Sequence, residues 1–234
     1  RVDAVASMLY LDYSREQGRI ARYGAVGAIS AAKLKALTID RCLSIRDVNP
    51  LAGTGNPDID TKAVIDAANQ LGHVGTIYFP QNSSTGYRIK PNLIKFAGPI
   101  RLLGDGRNFG TSLTCWGASS GQFMFTWDTG TAARITGAGI KGFYVNSNNA
   151  FGCLAKLVDT HRSTFEDIWC ERLQDMFESE LGYSNSFYNV ESNNNTRYGI
   201  HLKDWHNGVL ISKCIFDGAG ATGSYGVYLS GSAL

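Results

Sequence analysis

Residues Asp60 to Gly106 read DTKAVIDAANQLGHVGTIYFPQNSSTGYRIKPNLIKFAGPIRLLGDG. Asp60 and Thr61 are good helix N-cap types, because their side-chain oxygens can accept from the orphan N–H groups of a first turn. Val64, Ala67, Ala68 and Leu71 then fall at i, i+3, i+4 and i+7, forming one apolar helical face. Gly72 follows, where a helix end favours a residue that tolerates positive φ. Thr76-Ile77-Tyr78-Phe79 is rich in strand formers and Pro80 stops it. Further short strands separated by turns follow as far as the tight turn Gly104-Asp105-Gly106. A short helix that runs into many short strands is therefore expected.

Working outward, the chain from Ile135 repeats, and a repeat of this length signals a solenoid. An apolar-x-x-apolar-x-small/apolar pattern occurs at Ile140/Phe143/Val145, Phe165/Ile168/Cys170, Phe187/Val190/Ser192 and Ile211/Cys214/Phe216, with first members 25, 22 and 24 residues apart. The two-residue gap reads as a bend between two short strands, and the alternation after it as a strand with alternate residues inward. A second inward column is Cys153/Ala155, Phe177/Ser179, Ile200/Leu202 and Val227/Leu229, spaced 24, 23 and 27, with Phe123/Phe125 as an earlier member. Tyr198-Gly199-Ile200-His201-Leu202 matches Tyr225-Gly226-Val227-Tyr228-Leu229 almost residue for residue. Asn146, Asn148, Asn149 and Asn193 to Asn195 gather where the first strands end. They suit turns, either by tolerating turn backbone angles or as an amide ladder.

These pieces resemble the entry into a right-handed parallel β-helix of the pectate-lyase-like superfamily, and within it bacteriophage tailspikes. The order helix, G-T-I-Y-F-P, Y-R-I, L-L-G-D-G is what carries the likeness. Arg22-Tyr23-Gly24-Ala25-Val26-Gly27 is similar to the motif that opens many such coils, without its usual aspartate. The fold expected is mainly β: a right-handed, single-stranded parallel β-helix capped by a short N-terminal α-helix. Residues 1–49 would be a neck or connecting segment, with a short helix over Ala31–Leu37. Residues 50–234 would be the capping helix and first rungs of a coil that continues beyond 234. The resemblance implies a homotrimer on a phage tail, joined to other virion proteins through its N-terminal side. It implies a polysaccharide depolymerase, hydrolase or lyase, acting on capsule or O-antigen at the host cell surface, and it allows the catalytic groups to lie beyond Leu234. A non-catalytic adhesive or structural spike and a secreted cellular lyase or hydrolase of the same fold are the alternatives.

Composition agrees with a turn-rich β protein: 27 glycines, 18% charged residues and 44% hydrophobic residues in 234. A net charge of +2 argues neither for a nucleic-acid partner nor for a membrane surface, and no nucleic acid is expected. No apolar run reaches the length of a membrane span, so no membrane insertion is expected. Five cysteines without a C-x-x-C spacing read as reduced, mostly buried thiols. His73 and His161 lack companions at ligand spacing, so neither metal nor cofactor is expected.

Chemistry is sought on outward columns, since stacked rungs form long grooves suited to a polymer. The second set of strands presents Leu154, Glu178, His201, Tyr228 and, beside it, Lys156, Glu180, Lys203, Ser230. Glu178 and Glu180, two apart on one strand, would stand about 6.7 Å apart. That lies in the range, roughly 6.5–9.5 Å, that inverting glycosidases use. Glu178, Glu180 and His201 are thus the catalytic candidates, against the plainer reading of Glu180 as one rung of a charge ladder with Lys156 and Lys203. Tyr144, Trp169, Tyr188 and Trp205 are the substrate-binding candidates, as aromatic faces that can stack on sugar rings; an intersubunit contact, or for Trp205 a half-buried place in a turn, is the plainer alternative.

Overall fold

The computed structural model describes residues 41–82, 86–108, 110–149, 151–218 and 224–231. The chain divides between Arg41 and Cys42, and the second unit carries everything below. The readings of 22–27 and 31–37 lie outside the described residues.

The described chain contains two helices, α1 (Ile45–Val48) and α2 (Pro57–Gln70). Its strands are β1 (Cys42–Ser44), β2 (Gly75–Phe79), β3 (Tyr87–Ile89), β4 (Ile94–Phe96), β5 (Ile100–Gly104), β6 (Ser112–Cys115), β7 (Gln122–Trp127), β8 (Ile135–Thr136), β9 (Gly139–Ser147), β10 (Gly152–His161), β11 (Thr164–Glu171), β12 (Asp175–Tyr183), β13 (Ser186–Asn195), β14 (Tyr198–Asn207), β15 (Leu210–Ser212), β16 (Ile215–Gly218) and β17 (Tyr225–Ser230). All recorded pairings are parallel, and they build two sheets. One sheet runs β1-β2-β5-β9-β11-β13-β15 and the other β17-β14-β12-β10-β7-β4. Each rung therefore lies one coil above its predecessor, which is a parallel β-solenoid. The segment read as a neck already contributes a rung: Cys42, Leu43 and Ser44 pair with Thr76, Ile77 and Tyr78.

The first sheet has the expected register. Ile140, Phe165, Phe187 and Ile211 are successive partners, as are Val145, Cys170, Ser192 and Phe216. The two-residue gap is a bend with a left-handed residue, stacked rung upon rung as Gly142, Asp167, Asn189 and Lys213. Glycine, aspartate and asparagine reach that conformation at little cost, which is why the gap recurs. Asn189 donates to Asp167 across the rungs at 2.8 Å. Two of the clustered asparagines bond to backbone: Asn148 accepts from the Gly117 N–H and Asn149 donates to the Ala118 carbonyl.

The second sheet corrects one expectation. Phe177 pairs with Ala155, not Cys153, so the register between β10 and β12 is displaced by two residues; the pairings of Phe123 with Cys153 and of Phe177 with Ile200 and Val227 hold. Leu154, expected outward, is fully buried in the core, and Lys156 stands beside Glu178. A two-residue slip leaves the alternation pattern unchanged. The burial of Leu154 is a separate departure, since consecutive Leu154 and Ala155 both lie in the core and β10 does not alternate there.

Phenylalanines stack along the interior. The rings of Phe165, Phe177 and Phe187 have centroids 5.0 to 5.1 Å apart, all three fully buried. Offset and edge contacts of this kind add to the area buried. Cys115, Cys153 and Cys170 are free, buried thiols, and burial pushes Cys115 up to about 12.

Helix α2 covers the first coil, with Val64, Ala67, Ala68 and Leu71 buried and Gly72 at φ 60°. It starts earlier than expected: Asn56 is the N-cap, accepting from Asp58 and Ile59, with Pro57 in the first turn. Asp60 and Thr61 have another task. Asp60 is buried and accepts from the N–H groups of Gly53 (2.7 Å) and Arg88 (2.8 Å), and Thr61 accepts from Lys90 N–H (2.9 Å). Side-chain oxygens of the helix thus satisfy donors of edge strand β3 and of the residue that follows it, which would otherwise be open to another chain.

Candidate functional site

Four rungs of the second sheet set the candidate site. In register across β10, β12, β14 and β17, the outward residues are Lys156, Glu178, His201 and Tyr228. The next column is Val158, Glu180, Lys203 and Ser230. The outward face follows from the pleat, since Phe177, Ser179, Ile200 and Leu202 between these positions point inward and are buried.

Glu178 is the centre of this surface. Its side chain is 7% exposed, and it lies 2.9 Å from Lys203 Nζ and 3.3 Å from Lys156 Nζ. Both lysines also reach Glu180, Lys156 at 2.8 Å and Lys203 at 3.6 Å. Burial pushes the Glu178 carboxyl up, but the two ammonium groups outweigh it and hold the group below the usual carboxylate range. Lys156 is raised by the converse balance, burial opposing and Glu180 and Glu178 prevailing. The ladder read from the sequence is therefore present, as a closed cluster of two cations and two anions.

His201 sits on the other side of Glu178, with Nδ1 3.7 Å from Oε2. Its Nε2 is 2.6 Å from Ser230 Oγ. The ring is clasped by Tyr198 and Tyr228, with centroids 4.8 and 5.0 Å away, and those two tyrosines stack on each other at 4.7 Å. Burial lowers the imidazole below its ordinary value, against the pull of Glu178. Tyr225 continues the aromatic surface at 5.4 Å from Tyr228. At its edge Arg197 pairs with buried Asp175 and lies over the Tyr198 ring.

Ser230 and Gly231 also line a cavity of about 420 Å3 with Leu202, Val209, Leu229, Asp204 and His206. Asp204 and Trp205 belong to strand β14 and not to a free loop. The pairing of Glu180 with Lys203 and of Gly182 with His206 leaves one extra residue in β14, a bulge that turns Trp205 outward, 49% exposed. His206 is tied down by a contact of 2.9 Å between Nε2 and the Ser179 carbonyl.

The remaining aromatic candidates lie on the other sheet. Tyr144 and Trp169 meet edge to face at 5.4 Å, and the Tyr144 hydroxyl donates to Glu171 at 2.7 Å. Tyr188 is exposed and accepts from Lys213 at 2.6 Å. The structure thus joins Glu178, Glu180 and His201, places Trp205 on the same strand as His201, and puts Tyr144, Trp169 and Tyr188 with a different set of rungs. The sequence reading passed over Tyr198, Tyr225 and Tyr228 as site residues. Their signal was the matched pair of five-residue strings, which sets tyrosines above one another. Ser230 was placed beside Lys203, and its diagonal contact to His201 had no linear signature.

No protein-family model and no curated protein matches the chain. Among solved structures, ORF18 of Geobacillus virus E2 superposes with a TM-score of 0.61 at 19% identity, over 79% of this chain and 37% of that one. The likeness is one of fold: a phage protein holds a β-solenoid of this kind. This chain spans about 37% of the viral protein's length.

Proposed function

We propose that this chain is the β-solenoid part of a phage tailspike that recognises a bacterial surface polysaccharide, capsule or O-antigen, and cleaves it on the strip around Glu178, Glu180 and His201. One observation carries the reading. The strip joins paired carboxylates, a buried imidazole and stacked tyrosines along four successive rungs, a surface as extended as a polymer and furnished for both sugar stacking and proton transfer. The solenoid of a phage protein supports the viral setting. Glu178, held ionised between two lysines, suits a base or nucleophile, with Glu180 two positions further along the same strand. The same reading expects a homotrimer fixed to tail proteins through its N-terminal side, carried on the virion and acting at the host surface.

The test uses purified host polysaccharide and follows polymer size, reducing ends and the ultraviolet absorbance of unsaturated sugars together. A fall in size with new reducing ends and no absorbance identifies a hydrolase; a rise in absorbance identifies a lyase. Glu178→Gln is expected to slow cleavage at least 100-fold, the order that a positioned acid or base contributes. Binding without any change in size would favour the second reading, a non-catalytic spike. The closed Lys156–Glu178–Lys203–Glu180 cluster favours that reading, because it leaves neither carboxylate without a cation.

A further inference from the structure

Three residues from three consecutive rungs stand in line: Glu178 on β12, His201 on β14 and Ser230 on β17. The carboxylate faces one imidazole nitrogen, at 3.7 Å from Nδ1, and the hydroxyl meets the other, at 2.6 Å from Nε2. This is the order of roles in an acid–histidine–serine hydrolase, which is recognised by geometry and not by chain order. We propose that Ser230, His201 and Glu178 form an acyl-hydrolase site that removes a short acyl group, such as an O-linked acetyl, from a carbohydrate.

The surroundings suit each role. A general base must be neutral at working pH, and burial favours neutral His201. The orienting acid must stay ionised, and Lys203 with Lys156 keeps Glu178 so. With the proton on Nδ1 directed at Glu178, Nε2 is free to accept from the Ser230 hydroxyl. Within the described residues His201 Nδ1 is buried with no hydrogen-bond partner, so closing 3.7 Å to a bond as substrate binds would satisfy it. The tyrosine clasp fixes the ring plane. Glu178 is a positioning residue here; Ser230 and His201 meet the reacting atoms.

The surface beside the three residues points to the substrate class. Tyr198, Tyr228 and Tyr225 offer stacked aromatic faces next to His201 for a sugar ring.

The step balances without a cofactor. Ser230 Oγ bonds to the acyl carbon as its proton passes to His201 Nε2. The bond from that carbon to the sugar oxygen then breaks, and His201 returns the proton to the departing hydroxyl. Water, deprotonated by His201, attacks the acyl-serine; the carboxylic acid leaves and Oγ recovers its proton.

This activity goes beyond glycosidic cleavage and needs a serine that the depolymerase reading does not use. The test is made on the whole chain with a fluorophosphonate probe and with p-nitrophenyl acetate. The expected result is one phosphonyl group, located on the peptide that contains Ser230, and ester hydrolysis reduced at least 100-fold by Ser230→Ala and by His201→Gln. Glu178→Gln is expected to slow labelling and to move the pH midpoint of the labelling rate, which a purely structural role would not do. Loss of acetate from an acetylated host polysaccharide should fail in Ser230→Ala while polymer cleavage persists. Absence of the label from Ser230 in the folded parent chain, or ester hydrolysis unchanged by Ser230→Ala, would overturn the proposal.

Discussion

At Glu178, burial favours the neutral acid while Lys203 and Lys156 favour the ion, and the ammonium groups prevail. At His201, one rung on, burial prevails and keeps the imidazole neutral. Both residues therefore make the fold sensitive to acid. An unfolded imidazole takes up a proton near its ordinary value of 6.5, whereas the folded ring resists until a lower pH, so unfolding gains from about 6.5 downward. The Glu178 contribution is complete above the ordinary value of 4.5 and is lost as pH falls through the lower folded value. Melting temperature should hence fall on acidification below about 6.5, and further below 4.5. His201→Gln should flatten the upper part and Glu178→Gln the lower part. Variants whose melting temperatures follow the parent slope throughout would contradict this account.

The elements are short strands joined at corners, and the corners are columns of left-handed residues. One column runs Gly142, Asp167, Asn189, Lys213; a second runs Asp159, Leu181, Asp204, Gly231. Leu181 is the poor fit in the second, a branched apolar side chain at φ 58° and 42% exposed. Its Cβ meets the following carbonyl in that conformation, a cost that asparagine lessens through local hydrogen bonds. Leu181→Asn should therefore stabilise the chain by about 0.5–1 kcal/mol, judged against the 1–2 kcal/mol that a left-handed residue costs. Urea denaturation is the measurement, and a lower midpoint at unchanged slope would refute it. Much of this level was readable in advance. The apolar-x-x-apolar spacing marked the first corner because the bend consumes two residues between inward positions. The start of α2 was misplaced, since Asp60 and Thr61 are good cap residues in isolation. What distinguishes them from Asn56 is the strand β3 that they reach, 28 and 29 residues further on.

For the molecule as a whole, each rung touches mainly its neighbours, so stability is close to a sum of rung and interface contributions. The interior rungs bury Phe165, Phe177 and Phe187 completely. Hydrogen exchange should be slowest in the amides of β9 to β13, which hold these side chains. Uniform protection along the coil would mean that it opens as one unit.

The sequence by itself determined the class of fold, the length of a turn and the inward column of the first sheet. A solenoid repeats one environment every coil, so residues 22 to 25 apart must share a character, and that is visible in a linear string. It also placed Glu178, Glu180 and His201 on one outward face, because positions two apart on a strand share a face and the repeat sets His201 one rung from Glu178. Only the tertiary structure decided the register between β10 and β12, which a two-residue slip leaves unchanged in pattern. Only it decided that Glu178 is enclosed by two lysines and that His201 reaches diagonally to Ser230. Those are side-chain contacts between rungs, set by the stagger of neighbouring strands, the bulge in β14 and the rotamers that packing allows.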